Sequence, residues 1–469
     1  MAEQETLDDR VSELPDELLL LILSLLPTKD VVASSLLSKK WRCLWNPVHF
    51  ISFVDHVLTH STCSKINKFQ IDFHRNDWGF DSKISEWLNF TEEKKAEDIE
   101  LHSDPFDVEL FYELPLSMYT SSSLITLCLS YWQIDKGMVI AWNSVKNLAL
   151  CSVELDNDDF VKLLSSCPAL ETIELSYCEG FRRLEITSSN LKRLTLREPV
   201  QLLGEGHDTF LEIVAPYLQH LDISGHLGYI VCRLVNVSSL VTASITFFIY
   251  CITLTWDEDE IEDESCGDYH QVFKELVYDY LEKLSNATEL IIGTWFAEVV
   301  FMLKFEGVML PHLRCKCLTL KLCVWKYNLY GIASLQASPL LESLNIHIKV
   351  RFSDDFCEIA QSYLAKVDKI NLPSWIPNIV FPNLKCVKSV NCVKQCLTSL
   401  SGFCKLFKLL KFLLKNAGAL QKLVIVARRT KCCTCSESCV SQHLSRLAEK
   451  LLDSPRSSTN LVIIYQETS

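Results

Sequence analysis

Along the middle of this 469-residue chain, apolar residues return at the first, fourth and sixth places of a six-residue window. The windows stand at Ile66/Phe69/Ile71, Ala96/Ile99/Leu101, Leu124/Leu127/Leu129, Val145/Leu148/Leu150, Leu170/Ile173/Leu175 and Phe181/Leu184/Ile186. They continue at Leu191/Leu194/Leu196, Leu218/Leu221/Ile223, Leu240/Ala243/Ile245, Ala287/Leu290/Ile292, Cys315/Leu318/Leu320 and Leu341/Leu344/Ile346. Places four and six lie on one side of a strand, so each window predicts a short strand that buries one face. From Phe69 to Ile173 the fourth places recur mostly every ~20 to 29 residues, a period that implies a repeat array.

Window and period together are those of a leucine-rich repeat, which predicts an α/β solenoid, a horseshoe with parallel strands. A cysteine stands where such a repeat turns inward, at Cys178 and Cys323, and both thiols are expected to be buried and structural. A Pro-x-Leu lead-in recurs at Pro168, Pro216, Pro339 and Pro382, where proline would stop a helix and favour an extended entry. Two long steps, 47 residues from Ala243 to Leu290 and 43 from Leu344 to Val387, read as insertions or degenerate repeats. Between Asp257 and Asp268 the first holds eight acidic residues and no basic one, a solvated insert without calcium-loop spacing. After it Val272/Phe273, Leu276/Val277, Tyr280/Leu281 and Leu284 keep a helical period.

The N-terminus has a different pattern. Leu14-Pro15-Asp16-Glu17 opens an almost wholly apolar run to Leu26, with Pro15 suited to a first helical turn and Pro27 ending the run. Short segments follow, Thr28–Leu37 and Ser38–Trp45, and three short helices in about 40 residues cannot bury such a run alone. A partner surface is implied.

Leu14-Pro15-Asp16-Glu17-Leu18, Ile22 to Pro27, Val31 to Ser34, and Ser38-Lys39-Lys40-Trp41-Arg42 with Leu44-Trp45 resemble the F-box of plant proteins. The resemblance implies a three-helix F-box that docks on a Skp-family adaptor, and through it on the cullin and RING protein of an SCF ubiquitin ligase. The residues it turns towards the adaptor are Leu14, Pro15, Leu18, Ile22, Leu25, Val31, Leu37 and Trp41. Farther on, Phe412 to Ala417, Leu420 to Leu423 and Ser454 to Ser458 resemble the FBD domain, which implies a C-terminal α/β cap. Lys405, Lys408, Lys411 and Lys415 would line one face of its helix, opposite Leu406, Phe407, Leu409, Leu410, Leu413 and Leu414. The expected organisation is a tail at 1–8, an F-box at 9–50, repeats at 51–370 and an FBD-like segment at 371–469.

Charge and motifs narrow the function. With 59 acidic and 45 basic residues the formal charge is −14, a field that repels phosphate backbones, so no nucleic acid partner is expected. No G-x-G-x-x-G, G-x-x-x-x-G-K-[ST], G-x-S-x-G or H-E-x-x-H occurs, and no cofactor or catalytic residue is assigned. The 21 cysteines follow an acidic start without a secretory leader, which predicts reduced thiols in the nucleus or cytoplasm. No apolar run reaches the ~20 residues of a membrane span. Cys432, Cys433, Cys435, Cys439 and His443 form one thiol-rich cluster that lacks paired finger spacing, so no metal is assigned.

The expected role is therefore the substrate-recognition subunit of a ubiquitin ligase, working by proximity. Rival readings are a repeat scaffold acting without ubiquitin, and a hydrolase for which the sequence offers no clustered nucleophile and base. For the target, places two, three and five of the repeat strands are expected on the concave face. There Arg182 and Arg183 on one strand would stand near Lys192 and Arg193 on the next, with Arg197 beyond, a basic patch suited to an acidic or phosphorylated segment.

Overall fold

The computed structural model describes residues 14–15, 18–19, 51, 54–55, 58–59, 63–74, 81–104, 112–135, 137–198, 210–226, 231–248, 274–323, 339–349, 380–391, 401–428 and 439–468. The chain divides into two compact units. The first comprises Met1–Glu154 with Lys162–Leu170, and the second Leu155–Val161 with Glu171–Ser469.

In the first unit, strands β1 (Lys68–His74), β2 (Asp98–Asp104), β4 (Thr126–Ser130) and β6 (Asn147–Cys151) pair in parallel in that order. A small parallel pair joins β3 (Tyr112–Glu113) to β5 (Trp132–Gln133). Helix α1 (Asp81–Glu93) crosses from β1 to β2 and buries Ile84, Trp87 and Leu88. The Trp87 indole N–H donates to Asp55 Oδ1 at 2.8 Å, and Lys83 Nζ sits 3.1 Å from Asp55 Oδ2. One carboxylate from the segment after the N-terminal run is thus tied to the first helix of the repeats. Trp142 is buried likewise, its N–H donating to the Met118 carbonyl at 2.7 Å.

In the second unit the parallel ladder runs β7 (Thr172–Ser176), β9 (Arg193–Arg197), β11 (His220–His226), β13 (Thr242–Phe248) and β14 (Glu289–Gly293). It continues through β15 (Cys317–Cys323), β16 (Ser343–Lys349), β17 (Cys386–Asn391), β18 (Lys422–Arg428) and β19 (Val462–Thr468). A second sheet orders β12 (Val231–Asn236), β10 (Phe210–Val214) and β8 (Arg183–Glu185). Helix α2 (Asn157–Ser165) lies at the unit boundary, and α3 (Thr294–Phe305), α4 (Ser401–Asn416) and α5 (Cys439–Leu452) belong to the second unit.

The repeat window is the reason for this register. Places one, four and six are buried in all the windows except the first, where β1, an edge strand with one neighbour, leaves Ile66, Phe69 and Ile71 half-buried. At the strand entrances one carbonyl serves two donors. Glu171 O accepts from Lys192 and Arg193, Lys192 O from Gln219 and His220, Gln219 O from Val241 and Thr242, and Val241 O from Thr288 and Glu289. Those are all second-place carbonyls, so each strand entrance locks the next one in step and satisfies backbone groups that the core could not hydrate. At the exits, Tyr131, Ser152, Tyr177 and Glu198, all at place eight, take the left-handed conformation with φ of 62°, 53°, 53° and 46°. The N–H of Tyr177 donates to the Arg197 carbonyl and that of Glu198 to the Ser224 carbonyl, which turns the chain out of the sheet.

Several expectations are sharpened or corrected. Pro168 does more than stop α2, and Pro216 stops no helix, since it follows the strand β10. Each is the second residue of a turn closed by Leu170 N–H on Cys167 O at 3.1 Å and by Leu218 N–H on Ala215 O at 3.2 Å, where the fixed proline φ fits. Both long steps are insertions, because Ala243 stands opposite Leu290 and Leu344 opposite Val387 on neighbouring strands. The window Phe181/Leu184/Ile186 is not a ladder strand. It forms β8, which pairs with β10 in the second sheet. The C-terminal residues carry the ladder on, with β17, β18 and β19 as its last strands among the described residues. On α4 the leucines face inwards and Lys408, Lys411 and Lys415 outwards as expected, while Phe407 is half-buried.

Candidate functional site

At the N-terminus the Pro15 carbonyl accepts from Leu18 N–H at 3.1 Å and from Leu19 N–H at 3.2 Å, the first turn of the expected helix. Leu19 is fully buried, whereas Leu18 is 46% exposed, Pro15 is exposed and Leu14 is half-buried. Ile22, Leu25, Val31, Leu37 and Trp41 lie outside the described residues, as does most of the three-helix arrangement.

In the second unit the ladder has a covered and an open side. Places four and six face the core, and alternation turns places three, five and seven to the other side. The basic patch expected there does not assemble. Arg182 and Arg183 belong to the segment of β8, in the second sheet, while Arg193 on β9 stands between Thr172 and His220. Arg183 is neutralised by Glu212 at 2.7 Å and Glu185 at 3.2 Å, and Arg197 by Glu174 at 3.1 Å. Lys192 keeps its entrance position and uses its carbonyl to lock the next strand. The physical reason is that a window shows which side chains are buried but not which sheet the strand joins.

Arg193 does act on one neighbour. Burial first, and the Arg193 charge second, hold the His220 imidazole below its ordinary pKa. Next to it, Ser244 is 4% exposed with a hydroxyl that lacks a partner, as does Asp222 Oδ1 on the adjoining strand.

The expected structural thiols are confirmed where described: Cys178 is 1% exposed and points its Sγ at the Ser176 carbonyl, while the Cys323 side chain lies outside the described residues. Burial pushes the thiols of Cys167, Cys232 and Cys315 up to about 12. Cys432, Cys433 and Cys435 are outside the described residues, and among those described no group of three His, Cys, Asp or Glu could hold a metal ion. No described helix is long and apolar enough to cross a membrane.

Residues 11–53 match the F-box domain family, and residues 84–239 match the family described as FBD-associated F-box protein At5g56370, LRR repeats. Among curated proteins, the putative F-box/LRR-repeat protein At3g18150 of Arabidopsis thaliana is 30% identical, with 89% of this chain and 86% of that protein covered. The chain belongs to the F-box/LRR-repeat family. F-box/LRR-repeat protein At5g02910, from the same plant, is also 30% identical, over 72% of both chains. The F-box/FBD/LRR-repeat protein At1g78750 of that plant is 25% identical over 97% of this chain and 96% of its own. The F-box match covers the exposed Leu18, and the repeat match covers β2 through β12.

Proposed function

We propose that this F-box/LRR-repeat protein is the substrate-recognition subunit of an SCF-type ubiquitin ligase. Its F-box holds a Skp-family adaptor, which brings the cullin and RING protein, and its repeats hold a target protein. Leu18, 46% exposed beside the fully buried Leu19, is the observation that supports adaptor docking best. Leu14, Pro15, Ile22, Leu25, Val31, Leu37 and Trp41 complete the docking surface in this reading.

The subunit performs no bond chemistry. It raises the concentration of target lysines beside the ubiquitin thioester carried by another subunit, a gain of effective molarity. In this reading the chain works in the nucleus or cytosol, where its 21 cysteines would stay reduced.

The test is co-purification with a Skp-type adaptor. Leu18→Asp combined with Trp41→Ala is expected to abolish it while far-ultraviolet circular dichroism and the urea midpoint of the repeats stay unchanged. Adaptor binding retained by the double variant would overturn the assignment and favour a repeat scaffold that acts without ubiquitin.

A further inference from the structure

The late strands of the second unit gather cations that the sequence windows do not bring together. From β15 to β18 the parallel register places Lys321 opposite His347, Asn345 opposite Lys388, and Cys386 opposite Lys422. Leu318, Leu320, Leu344, Ile346, Val387 and Ile425 are buried on the covered side. Lys321, Lys388 and Lys422, at places seven, five and three, therefore share the other side, on which Lys422 is followed along β18 by Val424 and Val426, both buried. Lys388 and Lys422 are exposed and Lys321 half-buried, and Lys316 is exposed at the entrance of β15.

With strands ~4.8 Å apart and ~3.3 Å of rise per residue, the Lys388 and Lys422 backbones are ~8 Å apart and those of Lys321 and Lys388 ~12 Å. Lysine side chains bridge such gaps, so the ammonium groups repel one another at about a Debye length, ~8 Å.

Among the described residues no carboxylate pairs with Lys321, Lys388 or Lys422, whereas Lys316, after Lys385, helps to hold the Glu342 carboxylate below its ordinary pKa. Elsewhere the same chain does pair its cations, as in Lys65 with Glu97 at 2.5 Å, Lys68 with Glu100 at 2.9 Å and Arg197 with Glu174 at 3.1 Å. Two acids beside these strands are engaged. Glu342 is held by Lys385 at 2.7 Å, and Glu289 on the flanking β14 accepts from Thr242 Oγ1 at 3.2 Å and, second to burial, raises the pKa of the Cys317 thiol opposite it. An uncompensated cationic face on a protein of net charge −14 is complementary to an anion and to little else.

The residues between the lysines choose among anions. Thr319, Ser343 and Asn345, at places five and three, are polar, and Asn345 Nδ2 donates to Thr319 Oγ1 at 3.3 Å. None of the third, fifth or seventh places of β15 to β18 holds a Phe, Tyr or Trp on which a base could stack. Carboxylates or phosphates on a peptide fit this face better than single-stranded nucleic acid does.

We infer that this side of β15 to β18 docks an acidic segment of the target protein, with Lys321, Lys388 and Lys422 as its anchors. The inference rests on the reading that the repeats hold a target, and it moves the anion-binding surface from the β8 and β9 arginines to these lysines.

The test uses the full-length chain and fluorescence anisotropy with short labelled peptides, one rich in Glu, one with phosphoserine in place of Glu and one with Gln, beside a single-stranded oligonucleotide. The Glu or the phosphoserine peptide is expected to bind, and which of them binds more tightly separates carboxylate from phosphate recognition. Raising salt from ~50 to ~200 mM should weaken that binding at least threefold. Lys321→Gln with Lys388→Gln and Lys422→Gln should weaken it at least tenfold. A matched neutralisation of the exposed Lys408, Lys411 and Lys415 on α4 should change it less than twofold. Equal losses in the two triple variants, tighter binding of the oligonucleotide than of either anionic peptide, or binding of no peptide would each overturn the inference. Urea midpoints of both variants exclude unfolding as the cause. Adaptor co-purification is measured on the same samples: retained adaptor binding with no peptide binding sinks this inference and leaves the receptor reading standing.

Discussion

Adding one carbon at three glycines separates two contributions that are usually confounded, the cost of left-handed backbone and the cost of lost space. Gly180 has φ of +97°, and a Cβ there would lie 2.7 Å from the Leu155 carbonyl oxygen and 3.1 Å from its carbon. That approach is fixed, since the Leu155 N–H donates to the Glu179 carbonyl at 2.9 Å and Leu155 itself is buried. Gly307 has φ of +81° with nothing within 4 Å, and Gly418 has neither a positive φ nor a neighbour within 4 Å. An alanine in left-handed backbone costs roughly 1–2 kcal/mol. Loss of unfolded-state freedom returns roughly 0.4–1 kcal/mol, which is a net gain wherever the native backbone suits alanine. Gly418→Ala should therefore stabilise by about 0.4–1 kcal/mol. Gly307→Ala should destabilise by about 1 kcal/mol once the two contributions are set against each other. Gly180→Ala carries the same backbone cost and must also push against backbone, an overpacking of roughly 1–3 kcal/mol, for a total loss of about 3 kcal/mol. Urea unfolding by circular dichroism would read these as shifts of midpoint at constant slope. Equal losses for Gly180→Ala and Gly307→Ala would refute the steric argument, and a Gly307→Ala midpoint as high as that of Gly418→Ala would refute the backbone one.

Two further outcomes follow from the titrating groups. His220 has its pKa lowered in the folded chain, so the unfolded chain binds more protons; its contribution is full above the unfolded value near 6.5 and is lost as pH falls through the folded one. His220→Gln should flatten the fall of melting temperature below neutral pH, and an unchanged slope would count against it. Among the described cysteines, Cys63 is exposed, while Cys167, Cys232 and Cys315 are buried with thiols pushed up to about 12. Iodoacetamide at neutral pH should label Cys63 in the native chain and reach those three only in urea, as peptide mass mapping would show.

Leu194 and Leu196 could be placed in the core from their spacing alone, as could the equivalent residues of the other ladder strands, because a side chain two places along a strand returns to the same face whatever lies beside it. The same local logic exposed Lys408, Lys411 and Lys415 on α4, and the F-box was legible because an apolar run bounded by Pro15 and Pro27 has a distinctive local text. Which strands are neighbours is not a local property. Arg183 and Arg193 are ten residues apart in sequence yet lie in different sheets, whereas Lys321 and Lys388, far apart in sequence, lie on one face two strands apart. The 47- and 43-residue steps could not show whether they added a strand to the ladder until Ala243 was seen opposite Leu290 and Leu344 opposite Val387. Burial is thus written in the spacing of each window, because it depends on one strand and one core. The charge pattern of the binding face was decided only by tertiary structure, because Coulomb interactions depend on distance in space, and the shared carbonyls at the strand entrances set that distance.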